Sequence, residues 1–238
     1  MVKIFIDPGH GGSDPGAVGN GISEKNITLQ IANEVQRILK NEYDNILIKM
    51  SRTIDKTVSL SDRTNAANSW GADFYLSIHI NSGGGTGFES YVYPAASSQT
   101  KKYQKSIHEE IIRQIDLRDR GQKQANFHVL RESHMPAILT ENGFIDNATD
   151  ANKLKSSSYI NKIARGHVNG LAKALNLHKK AGGSGSNGST SNSSNKNEQK
   201  TDPNTLYRVQ IGAFGNRKNA EELAERARKA GFPVYITR

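Results

Sequence analysis

Short apolar runs alternate with amphipathic stretches from residue 3 to residue 177, and that alternation limits the possible folds more than any other feature. The runs 3–6, 45–50, 74–80 and 88–93 have the length and the β-branched or aromatic content of buried strands. Between the first two, Ile27, Ile31, Val35, Ile38 and Leu39 share one face of a helix. Ser23 stands where it caps that helix, and Glu24 takes the first position, where the helix dipole favours a carboxylate. Further helices are predicted over 60–69, 99–116 and 159–177. Gly71 ends the first of these, and Ile160, Ile163, Ala164, Leu171 and Leu175 line the inner face of the last. Two short strands, 129–130 and 136–140, fall between, and Gly83-Gly84-Gly85 reads as a mobile loop. The pattern predicts the α/β class: a three-layer α/β/α domain around a mostly parallel central sheet.

The alternation stops near residue 180. From there to residue 204 Gly, Ser, Asn and Lys dominate, with almost nothing apolar, so the tract reads as a flexible linker. Order is predicted to return as a strand over 206–211. A helix over 217–230 follows, with Ala220, Leu223, Ala224 and Ala227 on one side, and then a strand over 234–237. The chain therefore divides into a domain at 1–179, a linker at 180–204 and a small β-α-β fragment at 205–238.

Composition narrows the chemistry. The sequence has no cysteine, which excludes a disulfide framework and a thiolate-held metal, so any metal is held by His, Asp or Glu. The net charge is +9, and residues 180–238 hold ten Lys/Arg against five Asp/Glu. Such a chain suits an anionic partner such as a wall polymer. No patch interleaving basic and aromatic residues favours nucleic acid, and no apolar run is long enough for a membrane span. Residues 1–3 lead directly into the first strand without the apolar core of a signal peptide. The expectation is action outside the cell, at the wall, reached by lysis or by a route the sequence does not encode.

Three strand ends carry candidate chemistry: His10 after the first, His79 near the end of 74–80, and Glu141 after 136–140. Glu24 opens the helix fed by the first loop. Parallel strands bring all four to the edge of the sheet where ligands bind in open α/β folds. Two histidines and a glutamate are a common catalytic zinc set, and a second carboxylate beside them can act as proton acceptor. Glu141 follows an apolar run, so burial is expected to raise its pKa. Other assignments are open from the residues alone. Asp14 can replace Glu24 as ligand, Asp7 can orient a histidine, and His134 is a reserve ligand. His79 can be a packed strand histidine and Glu24 a plain first-turn residue. His167 reads as a core histidine and His108 as a solvated one.

Several blocks in order resemble a known family: DPGHGGSDPGAVG (7–19), Glu24, SLSDRTNAAN (59–68), GADFYLSIHINS (71–82) and PAILTENGFIDN (136–147). They look like the signature blocks of zinc-dependent N-acetylmuramoyl-L-alanine amidases of bacterial cell-wall hydrolysis. That resemblance covers about residues 1–177. It implies His10, Glu24 and His79 as zinc ligands and Glu141 as the catalytic residue, acting on peptidoglycan. YRVQIGAF (207–214) and NAEELAERARKAGFPVYI (219–236) resemble the first half of a SPOR domain, which implies peptidoglycan binding. The readings kept beside this one are a zinc peptidase acting on the stem peptide and a non-catalytic wall-binding protein.

Overall fold

The computed structural model describes residues 1–180, 217–229, 234 and 236. The linker at 181–204 and the strand read over 206–211 lie outside the described residues, as does most of the strand read over 234–237. Two units are present, Met1–Gly185 and Ser186–Arg238. In the second, the helix Arg217–Lys229 forms where the apolar spacing places it, with Ala224 buried.

In the first unit the chain runs β1 (Val2–Pro8), β2 (Val18–Gly19), β3 (Ile22–Ser23), α1 (Glu24–Glu42), β4 (Tyr43–Asp44) and β5 (Ile46–Met50). It continues through α2 (Leu60–Trp70), β6 (Phe74–Asn81), β7 (Phe88–Val92), α3 (Ser98–Gln114), β8 (Asp119–Gln124) and α4 (His128–Arg131). β9 (Ala137–Phe144), α5 (Ala148–Leu154), α6 (Ser157–Leu175) and β10 (His178–Lys179) complete it. The central sheet has the order β5-β1-β6-β9-β7-β8. All its pairings are parallel except β7 with β9. The expected three-layer, mostly parallel architecture is the one observed.

Its two faces are unequal, and the inequality positions the site. One face buries Ile4, Ile6, Leu76, Ile78 and Ile138 together with apolar residues of α1, α3 and α6. The other carries a smaller cluster: Phe5, Tyr75, Ala137 and Leu139 under Ala67 of α2 and Val129 and Leu130 of α4. Side chains alternate along a strand, so residues two further along share a face. His79 follows Tyr75 and Ser77, and Glu141 follows Ala137 and Leu139, on the thinly covered face. The sheet there runs on past its short helices and leaves its carboxyl edge open.

Three local expectations change. Residues 129–130 are a helical turn rather than a strand, because Leu130 and Arg131 N–H both donate to the Phe127 carbonyl. β8 was not expected, since Asp-Arg-Gly-Gln-Lys-Gln carries no apolar residue; at the sheet edge it pairs only with β7. The loop after β6 is tied down. Gly83 and Gly84 N–H donate to Asp146 Oδ2 at 2.8 and 2.7 Å, and Gly87 N–H donates to Asp150 Oδ2 at 2.9 Å.

The end of β1 is held by two buried arginines. Arg63 Nη1 donates to Asp7 Oδ1 at 2.7 Å and to the Pro8 carbonyl at 2.9 Å, and its Nη2 donates to the His10 carbonyl at 2.8 Å. Arg52 Nη2 donates to the Gly9 carbonyl and to the Lys25 carbonyl, each at 2.8 Å. Burial alone raises the Asp7 pKa, but the Arg63 charge and the Tyr75 hydroxyl outweigh it and hold the carboxyl below its usual range. Arg63→Met strands this carboxylate in the core. The expected loss in urea unfolding is about 3–5 kcal/mol, and a loss within experimental error contradicts the clamp.

Candidate metal centre

His10 sits one residue past the β1 turn with φ of 60°, a left-handed conformation costly for a residue with a Cβ. The arginine grip on the Pro8, Gly9 and His10 carbonyls holds it there. Its Nδ1 lies 2.8 Å from Asp14 Oδ2. Burial raises the Asp14 pKa, but the Gly16 N–H and His10 outweigh it and lower it, so the ionised carboxylate accepts a hydrogen bond from Nδ1–H. In the neutral ring that hydrogen bond leaves the lone pair on Nε2, the atom that faces Glu24.

Glu24 lies opposite. Ser23 stands at the N-cap position of α1, but its hydroxyl makes no capping bond. The Glu24 carboxylate is instead turned inward: Oε2 accepts from Ala17 N–H at 2.9 Å and Oε1 from Ile80 N–H at 3.0 Å. Oε1 also lies 3.1 Å from His10 Nε2 and 2.9 Å from His79 Nδ1. Burial opposes ionisation, but the two imidazoles outweigh it and hold the carboxyl far below the usual glutamate range.

The donor atoms of His10, Glu24 and His79 all lie within 4.8 Å of one another. A carboxylate oxygen facing the Nε2 lone pair of His10 is repulsive unless a cation or a proton lies between them. The donor set of two imidazoles and one carboxylate fits a divalent metal of the zinc type. Close backbone approach makes room for the rings. A Cβ on Gly9 would lie 2.3 Å from His79 Cε1, and one on Gly16 would lie 2.6 Å from Glu24 Oε2.

Glu141 stands beside this set. In the parallel ladder it pairs directly with His79, and across the antiparallel ladder with Glu89, so the three side chains form one row on the open face. Glu141 Oε2 is buried and has no hydrogen-bond partner among the described residues. Burial first, then the negative charges of Glu24 and Glu89, pushes its pKa well above the ordinary glutamate value. Glu89 behaves oppositely. Burial raises it, but Lys123, Tyr91 and Arg120 hold its pKa down to about 2.

The structure thus brings His10, Glu24, His79 and Glu141 to one edge of the sheet. Neither aspartate takes the role weighed for it: Asp14 orients His10 and does not replace Glu24, while Asp7 is buried on Arg63, Tyr75 and Ser77. His134 is not among the clustered ligands. His167 is a core histidine, bonded to Thr140 Oγ1 and the Ile163 carbonyl. His108 is buried rather than solvated, between Ser90 Oγ and Asp119 Oδ1. Sequence reasoning passed over Arg52, Arg63 and Glu89. For Arg63 a signal existed, since it lies four residues before Ala67 on the inward face of α2.

An α/β/α sheet with a two-histidine, one-carboxylate cluster at its carboxyl edge is the frame on which the comparisons with known proteins bear. Residues 4–173 match the family described as N-acetylmuramoyl-L-alanine amidase, and residues 203–238 match the SPOR domain. The sporulation-specific N-acetylmuramoyl-L-alanine amidase of Bacillus subtilis is 58% identical over 236 residues, which is 99% of this chain and 84% of that protein. An N-acetylmuramoyl-L-alanine amidase of Bacillus licheniformis is 55% identical over 99% of this chain and 85% of its own length. Among solved structures, the catalytic domain of an amidase from Bacillus (Paenibacillus) polymyxa var. colistinus superposes with a TM-score of 0.71 at 33% identity, covering 75% of this chain and all of that one. The chain belongs to the N-acetylmuramoyl-L-alanine amidase family and is an enzyme of that class.

The raised Glu141 pKa makes a stability prediction for the metal-free protein. The folded carboxyl keeps a proton that the unfolded chain releases near 4.5, so stability falls as pH rises above that value. Glu141→Gln removes this term. The metal-free variant is expected to be more stable than wild type at pH 7–8, with the gap closing as pH drops toward about 4.5. A gap that widens on acidification contradicts the assignment; thermal melting across pH measures it.

Proposed function

We propose that this chain hydrolyses the amide joining the lactyl group of N-acetylmuramic acid to the L-alanine of the peptidoglycan stem peptide. In this reading zinc is held by His10, Glu24 and His79, and Glu141 moves the proton. The observation that carries it is the pairing of Glu141, with its buried and unpartnered Oε2, to His79 of the donor cluster. Zinc bound there supplies Lewis acidity and brings the pKa of a water down to about 7. Glu141 would accept the proton of a water attacking the scissile carbonyl. Glu141 then hands that proton to the departing alanine nitrogen, which is a poor leaving group as an anion. Asp14 keeps His10 in one tautomer and ring orientation.

The reaction takes place at the cell wall. The likeness to a sporulation-specific relative supports a role in sporulation, as an autolysin in mother-cell lysis. The SPOR match supports peptidoglycan docking by residues 203–238. A linker over 180–204 lets a docked tail hold the catalytic domain at raised local concentration near substrate. The positive charge favours anionic wall polymers. No helix among the described residues is long and apolar enough to cross a membrane.

Purified peptidoglycan digested with the zinc-loaded chain is expected to yield lactyl-ended glycan and intact stem peptides by mass spectrometry. Shortened peptides in their place indicate a peptidase and overturn the reading. Glu141→Gln is expected to keep its zinc and lose at least ~100-fold in rate. His79→Ala should lose metal and activity together. Near-normal turnover by metal-loaded Glu141→Gln removes Glu141 from the proton-transfer role.

A further inference from the structure

The row of side chains on the open face continues past Glu141 to a cationic group that the chemistry above does not use. Glu89, 2% exposed, accepts from Asn81 Nδ2 at 2.7 Å, Tyr91 Oη at 2.6 Å, Arg120 Nε at 2.6 Å and Lys123 Nζ. One carboxylate against two cations leaves a surplus positive charge at this end of the row. Arg120 is fixed at two points. Its Nε is on Glu89, and its guanidinium lies over the Phe144 ring, 4.8 Å from the centroid.

The two terminal nitrogens of Arg120 have no partner among the described residues, and its side chain is 29% exposed. Two arginines that pin one element to another in this domain use both terminal nitrogens. Arg165 does so, giving Nη1 and Nη2 to the two oxygens of Glu42 at 2.6 Å each. Arg63 likewise uses all three nitrogens. Arg120 instead presents a braced guanidinium with its bidentate end open, the geometry that matches a carboxylate.

Position identifies which carboxylate. Adjacent strands lie about 4.8 Å apart, so a guanidinium resting on Glu89 is on the order of 5–10 Å from Glu141, the span of two or three extended residues. On the glycan side of the scissile bond the lactyl carboxyl is itself tied up in the amide. The stem peptide is the side that carries free carboxylates. We propose that Arg120, braced by Glu89 and Phe144, receives a free carboxylate on the second residue of the stem peptide and so sets peptide specificity. The proposal rests on the amidase reading of the site and deepens it.

The test titrates the zinc-loaded full chain with two synthetic stem tripeptides that differ only in a free carboxylate or a carboxamide at the second residue. The free acid is expected to bind about tenfold tighter, the effect of one charge-assisted hydrogen bond. Arg120→Ala should abolish the preference, and Arg120→Lys, which keeps charge without the fork, should retain part of it. With cleavable muropeptides the same ratio should reside in KM rather than kcat. Equal binding of the two peptides by wild type overturns the proposal, as does an undiminished preference in folded Arg120→Ala. If that variant fails to fold, the wild-type and Arg120→Lys titrations decide by the same criterion. Binding of these peptides requires no turnover, so failure of the amidase reading shows separately, as muropeptides left uncleaved.

Discussion

The ion pair between Asp7 and Arg63 is the constraint on which the rest of the site depends. A carboxylate in the sheet core is costly, and it is tolerated here because Arg63, Tyr75 and Ser77 all bond to it. Once anchored, the same arginine has nitrogens left for the Pro8 and His10 carbonyls, and so fixes the turn that presents His10. Arg52 extends the grip from the Gly9 carbonyl to the first turn of α1, the turn that carries Glu24. Two segments bearing donor groups are thereby tied together by bonds that involve neither donor. The His10 backbone strain is the visible cost of the arrangement.

The unequal faces of the sheet explain where chemistry is possible. α1, α3 and α6 seal one side completely, and isoleucines fill it. On the other side α2 and α4 cover only the amino-terminal part of the strands, so polar side chains replace apolar ones where cover ends. Along β6 the sequence on that face reads Tyr75, Ser77, His79; along β9 it reads Ala137, Leu139, Glu141. Electrostatics then separate three neighbouring glutamates. Glu24 between two imidazoles is ionised, Glu89 among cations is ionised, and Glu141, facing both negative charges from a buried position, holds its proton more tightly.

Much of this was legible in the sequence because it rests on short-range patterns. Strand-ending turns such as Asp7-Pro8-Gly9, and helical spacing such as Ile27-Ile31-Val35, locate β1 and α1 and hence His10 and Glu24. What escaped depends on partners distant in the chain. β8 has no apolar signature because it lies at an edge and is held by Arg120 and Lys123 reaching Glu89. His108 looks solvated on its helix until Ser90 and Asp119 close over it. Val129 and Leu130 satisfy a strand pattern as readily as a helical turn, and only the Phe127 carbonyl decides. Asp7 and Asp14 are both near His10 in sequence, and nothing local says which of them faces the arginine.

The central claim is that His10, Glu24 and His79 together hold one metal ion. X-ray absorption at the zinc edge, on the full chain loaded with one equivalent and dialysed, tests it most directly. The account predicts one tightly held zinc per chain whose nearest shell contains two imidazole nitrogens and carboxylate oxygen at about 2.0–2.2 Å. Zinc lost on dialysis, or retained in a shell of oxygens without imidazole scattering, contradicts it.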